Sequence, residues 1–241
     1  EKEAATYGDA VRWDVESNED EQEGNKKKET VYVEKLIGTG FICVVGARRG
    51  VGCTTTAVAM ANYLASKEKK KVALVELNHY PVLRWAKGMH KNVDVFSQGE
   101  GAFKLYQEDM KNPLEEISCQ EYDFIVLDMG VVFEPDIDKE NKEDMKLMVH
   151  KYKGEISRAN LTVMVTGSGP WDYLYLEPYL RYMEKALVNW RVLTVGDPGK
   201  ETIKALEEKV DKVITATCLS NHLASEWQDV LNELLHPLLP Q

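Results

Sequence analysis

The stretch Val44-Val45-Gly46-Ala47-Arg48-Arg49-Gly50-Val51-Gly52-Cys53-Thr54-Thr55-Thr56 has the residue types and spacing to hold a phosphate. An apolar run, Phe41 to Val45, reads as a short buried strand, and a helical pattern follows from Ala57 to Ala65. Glycines between strand and helix let backbone N–H groups close around an anion, and the helix N-terminus adds its partial positive charge. A working loop of this kind places a lysine just before its Ser/Thr, to reach the outer phosphates, and uses the hydroxyl to hold Mg²⁺. Thr54 supplies the hydroxyl, but the lysine position holds Cys53. The cradle is written and its main cation is missing. The plainer reading is a glycine turn that only packs a helix on a sheet.

A second constellation lies at Tyr122-Asp123-Phe124-Ile125-Val126-Leu127-Asp128-Met129-Gly130. A buried strand ending in Asp128 would bring that acid beside the loop, at the carboxyl end of a parallel strand. There Asp128 can hold a Mg²⁺-bound water, and Gly130 can offer its N–H to a terminal phosphate. The alternative is a strand-end aspartate that caps the next turn.

The first loop resembles the deviant phosphate-loop family of ParA and MinD, with its pattern Lys-Gly-Gly-Val-Gly-Lys-Thr-Thr. Arg48 takes the place of the first, signature lysine, and Arg49 that of a glycine. Gly50, Val51, Gly52, Thr54 and Thr55 match, while Cys53 replaces the second lysine. The resemblance implies ATP or ADP with Mg²⁺, held by the loop, Thr54 and Asp128. It also implies a homodimer in which the signature residue reaches the partner's nucleotide, a task a guanidinium can perform. After its second strand the family carries Asp-x-Asp, whose second aspartate positions the attacking water; here stands Glu76-Leu77-Asn78. Asparagine can hydrogen-bond a water but cannot take its proton.

Two altered positions, Cys53 and Asn78, point to a switch or scaffold in which hydrolysis is weakened or lost. It would act through a dimer and a protein partner of a larger assembly. The altered loop most resembles the TadZ/CpaE branch of pilus assembly and polar localisation. An active ATPase that uses Arg48 for the missing lysine is the alternative, and a fold that binds no nucleotide is the third.

The remaining chain must position these groups. Alternating strands and helices predict a doubly wound α/β domain over 31–241, with a mostly parallel sheet and helices on both faces. Strands are expected at Phe41–Val45, Val72–Asn78, Tyr122–Gly130, Leu161–Thr166, Arg191–Val195 and Lys212–Ala216, and an edge strand at Thr30–Val33. Helices are expected at Thr54–Ser66, Trp171–Val188, Glu201–Val210 and Ala224–Leu235, with short ones at Val82–Trp85, Lys104–Met110 and Lys142–His150. The aromatics of Trp171–Val188 read either as sheet packing or as a partner surface.

Residues 1–30 are polar and charged, lack the apolar surface to fold alone, and read as an acidic disordered tail. Glu1 rather than methionine opens the chain, as in a piece of a longer protein. The net charge of -10 argues against nucleic acid, which needs a basic face. Cys43, Cys53, Cys119 and Cys218 lack paired spacing, which is the usage of a cytoplasmic protein with reduced thiols. No apolar run is long enough for membrane insertion. The last helix is acidic on its polar face, so it lacks the cations that would draw it to anionic lipid.

Overall fold

The computed structural model describes residues 38–83, 95–96, 103–107, 114, 117, 121–134, 148–149, 153–169, 172, 175–176, 179–180, 189–198, 200–210, 212–216 and 227–239. The expected acidic tail over 1–30 and the edge strand at Thr30–Val33 lie outside these residues.

Runs of β-branched and apolar residues make the strands. They are β1 (Gly40–Gly46), β2 (Val72–Glu76), β3 (Val95–Phe96), β4 (Phe103–Gln107), β5 (Phe124–Val131), β8 (Leu161–Gly167), β9 (Trp190–Val195) and β10 (Lys212–Ala216). The short β6 (Phe133–Glu134) and β7 (Met148–Val149) pair with each other apart from the main sheet. Helices bounded among the described residues include α1 (Cys53–Ser66), α2 (Lys153–Ile156), α3 (Lys200–Glu207) and α4 (Gln228–Leu235), and residues 172, 175–176 and 179–180 are also helical.

The main sheet has the order β10-β9-β8-β1-β5-β2-β4-β3. All its pairings are parallel except β3 with β4, at one edge. The mostly parallel, doubly wound sheet predicted from the sequence is therefore present. Its central strands β1, β2, β5 and β8 are buried on both faces, which is why they read as continuous apolar runs rather than alternating ones.

Alternate residues of each strand feed two cores. Ile42, Val44, Leu74, Val126 and Val163 face α1 and α4, where Met60, Leu64, Trp227 and Leu231 pack. Cys43, Val45, Val75, Leu127 and Met164 face the other side, against Ile156, Leu176, Tyr179 and Leu206. Each fully buried aliphatic side chain contributes about 1.5–3 kcal/mol by leaving water. Ala57 and Ala61, both fully buried, let α1 lie close on the sheet.

The sheet turns direction at β1. The chain first builds outward through β2 and β4, returns to place β5 beside β1, then crosses to β8 on the other flank. In open α/β sheets the crevice at such a reversal is where ligands bind.

Two local expectations fail. The helix predicted at Lys104–Met110 is replaced by β4, because Leu105 and Tyr106 bury themselves by pairing with β2. Within the helix predicted at Lys142–His150, residues 148–149 are a strand paired with β6. In both places partners distant in sequence override the local pattern. Strand β5 also runs on past Asp128 to Val131.

Candidate functional site

Strand β1 stops at Gly46, and the chain turns through residues 47–52 into α1. Gly50 and Gly52 take φ of 78° and 96°, a left-handed backbone that side chains other than glycine adopt at a cost. Gly52 is the N-cap of α1, so no side-chain oxygen caps the helix, and no acid stands in its first turn. The helix therefore presents its first-turn N–H groups and its positive end uncapped.

This end faces a cavity of about 600 Å³. Among the residues singled out from the sequence, Arg48, Gly50, Gly52, Cys53, Thr54, Thr55, Asn78 and Gly130 line it. Val51 does not. It is 5% exposed and packs into the α1-side core, so it shapes the loop from within. Asp128 lies fully buried behind the cavity wall.

Cys53 turns inward. Its thiol lies 3.3 Å from the carbonyl oxygen of Val44 and 3.3 Å from Oδ1 of Asp128. Burial pushes the thiol pKa well above its ordinary value, and the neighbouring Asp128 charge pushes it further. The group is a neutral donor at physiological pH, where a lysine would have supplied positive charge.

Asp128 and Glu76 are register partners on adjacent parallel strands, and both are buried. Burial raises the Asp128 pKa to about 6, with a smaller push from the Glu76 charge; Thr54, Cys53 and the Gly130 N–H pull it back. Oδ1 accepts the Gly130 N–H at 3.2 Å, while Oδ2 is buried without a hydrogen-bond partner. Glu76 accepts the Leu83 N–H at 2.7 Å and so fixes the segment after β2. An acid with an orphaned oxygen, beside a threonine hydroxyl at a helix N-terminus, fits the oxygen ligation that Mg²⁺ requires.

Asn78 closes this corner. Its Nδ2 donates to Thr54 Oγ1 at 3.4 Å, and its Oδ1 accepts the Tyr80 N–H at 3.0 Å. Gly130 sits directly against it, where a Cβ would lie 2.3 Å from Asn78 Oδ1. The pairing of β1 with β5 slips here, from Val44–Asp128 to Val45–Gly130, and Gly130 has φ of 61°. A bulge with a left-handed glycine is thus built in beside the acid. The Gly130 N–H, expected from the sequence to face a phosphate, donates instead to Asp128.

Arg48 does not stand free over the loop. Its Nε donates to Oδ1 of Asp172, forming an ion pair, and Nη1 donates to the Arg49 carbonyl at 3.1 Å. Asp172 is 4% exposed and also accepts the Gly169 N–H at 2.9 Å. Arg49 lies over the Tyr80 ring, 3.6 Å from its centroid, and donates to the Tyr80 hydroxyl. Nothing local in the sequence marks Asp172, Tyr80, Val82 or Leu83 as site residues, because each is brought to the loop by folding and none belongs to a motif. Tyr80 and Val82 are the large hydrophobics most exposed among the described residues, and both line the cavity.

No protein-family model and no curated protein matches the chain. Solved structures do. A plasmid partition protein from Borrelia burgdorferi, bound to AMPPNP, superposes with TM-score 0.55 at 13% identity, covering 84% of this chain and 100% of the other. A ParA family ATPase from Chlorobium tepidum gives 0.52 at 12% identity, covering 81% and 91%. A nucleotide-binding protein from Archaeoglobus fulgidus, in complex with ADP, gives 0.50 at 16% identity, covering 78% and 85%. The chain therefore has the fold of ParA-type phosphate-loop proteins.

Proposed function

We propose that this protein is a ParA/MinD-like nucleotide-binding switch or scaffold with weakened or lost ATP hydrolysis. The uncapped, glycine-built N-terminus of α1 facing the cavity is the observation that carries this reading. Loop amides would hold the phosphates of ATP or ADP, and Thr54 with Asp128 would hold Mg²⁺, which supplies charge neutralisation when bound. Neighbours of the same fold are seen with AMPPNP and ADP, which supports nucleotide as the ligand.

Reduced turnover follows from the residues. Phosphoryl transfer depends on positive charge placed at the terminal phosphate, and Cys53 contributes none. Asn78 cannot accept a proton, and both ends of its amide are engaged within the chain. A charge-assisted contact is worth about 1.5–3 kcal/mol, so its loss weakens binding roughly tenfold to a hundredfold without abolishing it.

The switch would work as a homodimer and through a protein partner in the cytoplasm, with pilus assembly or polar localisation as the setting that the altered loop favours. A second reading is an active ATPase in which Arg48 serves as the loop cation, favoured by the presence of Arg48 and Arg49 at the cavity. Calorimetric titration with ATP and ADP, with and without Mg²⁺, tests binding. Turnover measured beside it separates the readings. Slow or absent hydrolysis with clear binding supports the switch. Brisk hydrolysis lost in Arg48→Ala supports the ATPase, and no binding of either nucleotide overturns both.

A further inference from the structure

We infer that the Tyr179 hydroxyl is a positioning group that ties the start of the phosphate loop to the exit of β5, so that occupancy of the loop is felt at residues 131–134. The coupling rests on the reading of the loop as a nucleotide site; the tie itself does not.

Tyr179 is fully buried on the sheet face opposite α1. Its hydroxyl donates to the Gly46 carbonyl at 2.7 Å and accepts the N–H groups of Val132 at 2.9 Å and Phe133 at 3.2 Å. A tyrosine hydroxyl has one proton and two lone pairs, and these three bonds use all of them. The Phe133 ring stands edge-on to the Tyr179 ring, with centroids 4.9 Å apart, which fixes where the hydroxyl points.

The two backbone sites lie where shifts at the loop would pass. Gly46 is the last residue of β1, and a Cβ there would meet Cys53 Cβ, the Arg48 carbonyl and Val51 at 3.2–3.3 Å, so the loop folds back over it. Val132 and Phe133 follow directly from the strand that carries Asp128 and Gly130. The hydroxyl thus links the last paired residue of β1 to the short connection between β5 and β6. Asp172, which holds Arg48, lies seven residues before Tyr179, and the described residues between them are helical. Two residues close in sequence thus hold the loop at two points, Asp172 at Arg48 and Tyr179 at Gly46.

Tyr179→Phe keeps the ring and removes these three hydroxyl bonds. In the native chain, saturating ADP with Mg²⁺ should slow amide exchange at Val132 and Phe133 about tenfold. In Tyr179→Phe the same ligand should bind about tenfold more weakly and should change exchange at those amides less than twofold. Equal affinity and equal ligand-induced slowing in the two proteins would overturn the inference. If the native chain binds no nucleotide, the proposed function fails by itself. Ligand-free exchange at the amides of residues 47–52 then decides. A rise of about tenfold in Tyr179→Phe supports the tie, and unchanged rates overturn it. Should Tyr179→Phe not fold, 3,5-difluorotyrosine at position 179 keeps the shape while weakening the hydroxyl as an acceptor, and the same readouts apply.

Discussion

The Cys53 thiol and Asp128 Oδ1 lie 3.3 Å apart, so the first residue of α1 and the buried acid of β5 satisfy each other within the folded chain. A neutral donor thus occupies the place of a cation. The pair supplies no charge that would draw a terminal phosphate inward, and it leaves Asp128 Oδ2 buried without a partner.

Restoring that charge should restore affinity. Cys53→Lys is expected to tighten Mg²⁺–ATP binding about tenfold to a hundredfold, the worth of one charge-assisted contact. Calorimetry checks it. A variant that folds and binds no better than the native chain would show that the loop cannot present its amides.

The buried acid makes stability depend on pH. Unfolded, the Asp128 carboxyl titrates near 3.8; folded, it titrates near 6. Between those values the folded chain keeps a proton that the unfolded chain has released. The contribution is therefore fully present below about pH 4 and lost as pH rises through 6. Its size is on the order of 3 kcal/mol. Denaturant titrations in chelator, from pH 4 to 8, should show this slope in the native chain and not in Asp128→Asn.

Asp172 and the Arg49 carbonyl hold the Arg48 guanidinium, so a ligand at the loop competes with them for its charge. Asp172→Asn keeps an acceptor for the Gly169 N–H and removes the competing charge. Binding of Mg²⁺–ATP should tighten about threefold to tenfold, with only a small change in stability because Arg48 is partly exposed. The gain should vanish in the double variant with Arg48→Ala. Were it to persist there, Arg48 would have no part in binding.

Gly130→Ala should destabilise the fold by about 2–3 kcal/mol. The left-handed backbone accounts for about 1–2 kcal/mol and the clash with Asn78 for the rest. Adding Asn78→Ala relieves only the clash, so a double-mutant cycle should return part of the loss and leave the backbone share.

Much of the frame was legible in the chain itself. Continuous apolar runs gave away β1, β2, β5 and β8, because strands buried on both faces need no alternation, while β9 and β10 showed as short β-branched runs. The loop was legible because its glycines are adjacent in sequence. What was not legible depends on distant partners. Phe103–Gln107 carries a pattern that suits a short helix, and only pairing with β2 makes it a strand. Asp172 looks like any helix acid until Arg48 lies across it. Tyr179 stands in a row of aromatics, and nothing local marks its hydroxyl as the one that meets Gly46. Glu76 matched an acidic position of the family pattern; its hold on Leu83 needed the fold.

The placement of β1 between β5 and β8 has a consequence for biosynthesis. The strand made first among the described residues is flanked by strands made eighty and more residues later, so one flank waits for Val131 and the other for β8. A nascent chain halted before Leu161 would carry an apolar strand with an open flank, the kind of edge that recruits foreign strands or chaperones. Arrest at successive lengths, with protease challenge at each, should show resistance arriving in one step once β8 is out.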